Sequence, residues 1–306
     1  MKRFILNIAL FGIILLIIVG AFELFLMRFS NEFSYKHNYL KKHSNDIEVL
    51  ILGGSQSSNS INPWAFKEKT FDAAITARYL YMDYQMAEEF IPQMKNLKAV
   101  VLTVSNLILY RSYKYHFKGS MEQLLEDEYR CMYLKYMGYH YGKFDYKYWP
   151  ETANSKLNFW GRIFMDNDQQ RNRCDSLGYQ KVPLHASGDW ENAQKPKEVD
   201  YSDKNLEMAF KENVEYLKQI SKLCKDNGAK FILVHIPYYK TAQAVITQTD
   251  EQYFSKMVSE VRSANEDVVL LNLMKDSRFD PDDFFNAIHL NDNGATKIAA
   301  IIDEKI

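Results

Sequence analysis

The chain has 306 residues, a net formal charge of −1 at pH 7 and 14% aromatic residues, among them 21 Tyr and 19 Phe. That length suffices for one sizeable domain or two small ones with ample core. A near-neutral chain without a basic stripe offers nothing to nucleic acid, which removes that class of partner.

Residues 1–27 read as a transmembrane anchor. From Phe4 to Phe22 only Asn7 is polar, and about 20 apolar residues are what a helix needs to cross a bilayer. Lys2 and Arg3 precede the run, so the positive-inside rule expects the N-terminus in the cytoplasm and the remainder outside the cytoplasmic membrane. A cleaved signal peptide is the rival reading. Its apolar region should be shorter and end in small residues at an A-x-A site, which "VGAFELFLM" lacks. An uncleaved anchor is therefore the expectation, with the lipid bilayer as a partner.

Residues 28–46 are polar and charged and read as a juxtamembrane linker or short helix, leaving 47–306 as the domain. "IEVLILG" (47–53) is a continuous apolar run, as in a strand buried on both faces. "TFDAAI" (70–75) is a short second strand, "LYMDYQMAEEFIPQM" (80–94) has helical spacing, and "KAVVLTVS" (98–105) is another buried strand. In 205–228, Leu206, Phe210, Val214, Leu217, Ile220 and Leu223 recur every three or four positions, and Gly228 stands where a left-handed helix cap favours glycine. "KFILVHIP" (230–237) is a strand ended by proline, 250–264 a helix, "DVVLLNL" (267–273) a strand, and 291–306 a last helix with Asn291 as its N-cap. Strands alternating with helices predict an α/β fold. Five strands fit a flavodoxin-like three-layer sandwich around a mostly parallel sheet, with sites outside the carboxyl ends of the strands. A long insertion at about 106–204 interrupts the pattern. Its Tyr-rich first part predicts a partly helical cap over that edge, whose rings either stack on sugar faces or simply pack the cap.

Cys131, Cys174 and Cys224 lie far apart and show no metal-ligand spacing. At most one pair could bridge; free, buried thiols are the simpler reading. No cofactor and no metal are expected.

The chemistry-bearing candidates stand at the two ends of the domain. In "LGGSQSSNS", Ser55 follows two glycines at the end of the first strand, where a tight turn exposes its hydroxyl. The backbone N–H groups that follow favour an anion. Serine needs a base within hydrogen-bond reach, and His289, in "NAIHLNDNGA" before the last helix, is expected at the same sheet edge. Ser57, Ser58 and Ser60 read as helix-turn residues, and His235 as a satisfied core or rim histidine.

With these two blocks in this order, the sequence resembles the SGNH (GDSL-like) hydrolase superfamily, and more narrowly its membrane-anchored bacterial members near envelope-polysaccharide and acyl-transfer functions. "FDAAITARYLYMDYQ" looks like a worn second block and "AVVLTVSN" sits where the third falls. The resemblance implies Ser55 as nucleophile and His289 as general base. It implies an oxyanion hole from the Ser55 amide, from Ala77 or Thr76, and from the Asn106 side chain. The usual aspartate three residues before the histidine is Asn286 here. Asparagine can orient an imidazole but supplies no charge and can favour the wrong tautomer; Asp282 or Asp283 is the alternative orienter. The resemblance further implies an esterase or O-acyltransferase acting on an acylated saccharide or other ester of the cell envelope. A membrane acyltransferase or a polysaccharide-assembly protein would be its partner. The alternative is a catalytically degenerate SGNH-like scaffold in such an assembly.

Overall fold

The computed structural model describes residues 1–28, 32–76, 78–112, 174–196 and 199–306. The Tyr-rich part of the expected insertion, with Cys131, and the candidate Ala77 lie outside the described residues.

The chain opens with α1 (Lys2–Arg28). Its stretch Lys2–Ala21 is long and apolar enough to cross a membrane, and side chains such as Phe4, Phe11 and Leu16 point away from the packed body. Next comes α2 (Glu32–His43), the helix alternative for the expected linker. It packs onto the domain rather than trailing from it. Phe33 and Leu40 are buried, Tyr39 stacks on Phe71 with ring centroids 4.1 Å apart, and the fully buried Lys36 donates to the Ala74 carbonyl. The packed body therefore begins at Glu32, ahead of the expected boundary at 47.

The expected strands form one parallel sheet. They are β1 (Val49–Leu52), β2 (Thr70–Asp72), β3 (Ala99–Thr103), β4 (Lys230–His235) and β5 (Val269–Asn272), in the order β2-β1-β3-β4-β5. Val49 pairs with Ala99, Ala99 with Lys230 and Ile232 with Val269. This is the doubly wound order whose switch point lies between β1 and β3. Parallel crossovers cover both faces, which is why β1 and β3 are apolar at every position but Thr103. Alternation then sorts the side chains. Leu50, Leu52, Val100 and Leu102 point to one core, and Val49, Ile51, Ala99 and Val101 to the other.

The first core is roofed by α2, α4 (Leu80–Phe90), α6 (Lys204–Asp226) and α8 (Gln248–Ala264), numbered after the short helices α3 (Ser55–Ser58), α5 (Asn106–Leu109) and α7 (Lys240–Gln243). The α6 stripe is as expected: Leu206, Phe210, Val214, Leu217 and Ile220 are buried. Gly228 closes it at φ +72°. The second core lies under α9 (Asp292–Asp303) and a small antiparallel pair, β6 (Phe284–Asn286) with β7 (His289–Leu290). Asn291 caps α9 as expected, accepting from the Asn293 and Gly294 amides at 3.0 and 3.2 Å. Cys174 and Cys224 are free thiols.

Candidate active site

Ser55 opens α3 directly after β1. Its turn depends on Gly53, whose φ of +120° is open to glycine and strained for other residues. A Cβ there would also lie 2.5 Å from Ser57 Oγ. Ser57 is needed in that place. Its hydroxyl donates to the Leu52 carbonyl at 2.6 Å and meets Thr103 Oγ1 at 2.7 Å, tying the turn to β3. Ser55 itself is half-buried, so its hydroxyl keeps an open side.

The β6–β7 hairpin brings the other half. His289 Nε2 lies 2.8 Å from Ser55 Oγ, and His289 Nδ1 lies 3.0 Å from Asn286 Oδ1. The tautomer follows from a third contact. The Ile288 amide, which can only donate, points at the same Asn286 Oδ1 at 3.1 Å. Oxygen, not nitrogen, therefore faces the ring, so Nδ1 must carry the proton and Nε2 keeps its lone pair for the Ser55 hydroxyl. The expected hazard of the wrong tautomer is absent. Asn286 Nδ2 in turn donates to Gln194 Oε1 at 3.3 Å.

Among the described residues, no charge backs this arrangement. Asp282 and Asp283, the alternative orienters, do not serve His289. Asp283 is buried in a turn, where it accepts from Lys297 Nζ at 2.5 Å and from the Asp280 amide at 2.9 Å. The Asp282 side chain is exposed, and its carbonyl accepts from Asn291 Nδ2 at 2.7 Å. With His289 only 5% exposed, burial pulls its pKa down from 6.5 to about 4, so the imidazole is neutral at pH 7.

Two further links hold the serine turn against the histidine hairpin, and neither was evident from the sequence. Ser60 Oγ accepts the Leu290 amide at 3.0 Å, so Ser60 is more than a turn residue. Gln56 Nε2 donates to the Ile288 carbonyl at 3.3 Å and to the Tyr238 hydroxyl at 3.1 Å.

The remaining candidates divide. Thr76 hydrogen-bonds Gln180 at 3.3 Å. Asn106 is at the carboxyl end of β3 as expected, but its side chain faces Asp250 of α8, and its Oδ1 is buried without a hydrogen-bond partner. It lines a pocket of about 410 Å³ with His235, Phe254 and Met274. His235 is buried, yet neither ring nitrogen has a hydrogen-bond partner, contrary to the expected satisfied histidine. Its ring lies beside those of Phe254 and Tyr238, with centroids at 4.6 and 5.3 Å. Burial lowers its pKa to about 4. Among the described residues, no cluster of His, Cys, Asp and Glu could hold a metal ion.

No protein-family model matches the sequence. No curated protein matches it either. Among solved structures, the chain is similar to a protein from Streptococcus pneumonia provisionally described as a platelet activating factor, with a TM-score of 0.44 and 9% identity over 94% of this chain and 98% of that one. It is also similar to the lipase/acylhydrolase from Enterococcus faecalis, with a TM-score of 0.40 and 11% identity over 85% of this chain and 95% of that one.

Proposed function

We propose that the protein is a serine-dependent acyl-ester hydrolase or O-acyltransferase of SGNH type, anchored by α1 and working outside the cytoplasmic membrane on acylated envelope glycans. The observation that carries the chemistry is the relay Ser55 Oγ to His289 Nε2 at 2.8 Å and His289 Nδ1 to Asn286 Oδ1 at 3.0 Å. Ser55 attacks the ester carbonyl while His289 takes its proton. The oxyanion is received by backbone N–H groups at the start of α3, which lack intrahelical acceptors. His289 returns the proton to the departing alcohol. Water or a saccharide hydroxyl then attacks the acyl-serine, with His289 again as base. The glycan substrate and the outward orientation rest on the family resemblance and on the basic residues Lys2 and Arg3 at the start of α1.

The test uses the full chain in lipid nanodiscs, a serine-reactive phosphonate and a short acyl ester. Wild type should be labelled and turn the ester over. Ser55→Ala and His289→Ala should each lose labelling and at least about 10³ of turnover. A folded wild type that is neither labelled nor active would overturn the reading. The scaffold alternative draws support from one observation: the Asn106 side chain, expected as an oxyanion donor, faces Asp250, and its Oδ1 is buried without a hydrogen-bond partner. Glycan binding indifferent to Ser55→Ala would favour it.

A further inference from the structure

Arg78 and Asp83 are both fully buried, and Arg78 Nε lies 3.0 Å from Asp83 Oδ1. The pair touches three backbone groups. Asp83 Oδ1 accepts the Gly53 amide at 2.9 Å; Arg78 donates to the Ala73 carbonyl at 2.9 Å and to the Met82 carbonyl at 2.8 Å. Gly53 is two residues before Ser55. Ala73 begins the stretch that runs from β2 to α4. The same two segments meet again where the Ile75 amide donates to the Gly53 carbonyl at 2.9 Å.

Stability is a poor reason for such a pair. A buried ion pair only about breaks even against apolar residues of the same volume. This one also leaves Asp83 Oδ2 buried without a hydrogen bond. What apolar residues could not do is hold a glycine amide. Gly53 needs that hold, because φ +120° is only one of several conformations open to glycine. An oxyanion site demands donors fixed in advance.

We infer that Asp83, held by Arg78, is a positioning residue that locks the Gly53 turn against the β2–α4 segment, and so fixes in advance the amides that open α3 beside Ser55. This rests on the proposed Ser55 chemistry. The experiment therefore includes a readout that does not need turnover.

Two double variants separate the amide lock from the charge. Arg78→Met with Asp83→Leu removes both. Arg78→Met with Asp83→Asn removes the charges but keeps an acceptor for Gly53. Each is made in the full chain in nanodiscs, and its fold is checked by thermal melting. Hydrogen–deuterium exchange of the peptide spanning Gly53 to Ser57, read by mass spectrometry, should speed up at least tenfold in the Leu variant and return to near wild type in the Asn variant. With the short acyl ester, kcat should fall at least tenfold in the Leu variant with KM within about twofold, and recover in the Asn variant. Equal exchange in the two variants overturns the inference, whatever the ester assay gives. Restored exchange without restored kcat, in a protein whose wild type is active, overturns the positioning role. An inert wild type with normal exchange behaviour counts against the proposed chemistry and leaves the lock standing.

Discussion

Asn286 stands where an aspartate completes the usual relay, and its amide does half of that work. It fixes the His289 tautomer through Oδ1, which the Ile288 amide orients. It supplies no negative charge for the imidazolium that forms during the reaction. The exchange of Asp for Asn in a serine protease costs about 10⁴ because the tautomer goes wrong, so the missing part here is the smaller, electrostatic one. Asn286→Asp should raise kcat about ten- to a hundredfold, the effect of one to two pKa units on the imidazolium. The pH profile gives the independent check. The base works only when neutral, so wild-type turnover should fall as pH drops through about 4, well below the ordinary 6.5. Asn286→Asp should move that limb upward, since a carboxylate favours the charged ring. An unmoved limb would mean that Asn286 does not govern His289. Ser55 and His289 were legible in the sequence because a parallel sheet gathers its β-to-α loops at one edge. Gln56 was not legible. Its partner Ile288 is 232 positions away, and nothing in either local sequence announces the contact. The Asn106 rotamer was equally hidden, since spacing placed the residue at the right edge without saying which way its amide turns.

At the scale of elements, the Ser55 turn is set by crowding. A methyl group at position 53 would meet Ser57 Oγ at 2.5 Å and Thr103 Oγ1 at 3.2 Å, and the backbone angle itself disfavours an L-residue. Gly53→Ala should cost about 1–3 kcal/mol of stability and most of the turnover, measurable by denaturant unfolding beside ester hydrolysis. A variant as active and as stable as wild type would show that the turn tolerates other shapes. The strands and the α6 stripe were readable because each repeats one period over several residues. Their ends drifted by up to three positions, as at 70–75 against the observed Thr70–Asp72. The β6–β7 hairpin escaped notice because its strands have only 3 and 2 residues, too few to show alternation. The polar composition of α2 concealed its role for another reason. The charge of Lys36 is buried but satisfied, by Glu32 at 3.2 Å and by a backbone carbonyl, and hydropathy cannot register a partner.

For the whole molecule, the packing of α2 sets where the soluble body starts. A chain beginning at residue 29 should fold and stay in solution. One beginning at residue 47 loses the buried Phe33 and Leu40 and the Tyr39–Phe71 stack. At about 1.5–3 kcal/mol per buried side chain, that is at least about 4 kcal/mol, a large part of the 5–15 kcal/mol typical of a domain. Thermal melting followed by circular dichroism should show the shorter chain melting at least 10 °C lower, or not folding. Equal melting would make α2 dispensable. The same close docking has a geometric corollary. Only residues 29–31 separate Arg28 from Glu32, four Cα steps that span at most roughly 14 Å. With α1 in a bilayer, the packed body would be kept within a short reach of the lipid surface. If Ser55 carries out the proposed chemistry, esters held in or on the same membrane would meet it at the millimolar effective concentrations of a short tether, whereas freely diffusing esters would gain nothing from it. Selectivity of that kind comes from address rather than from pocket shape.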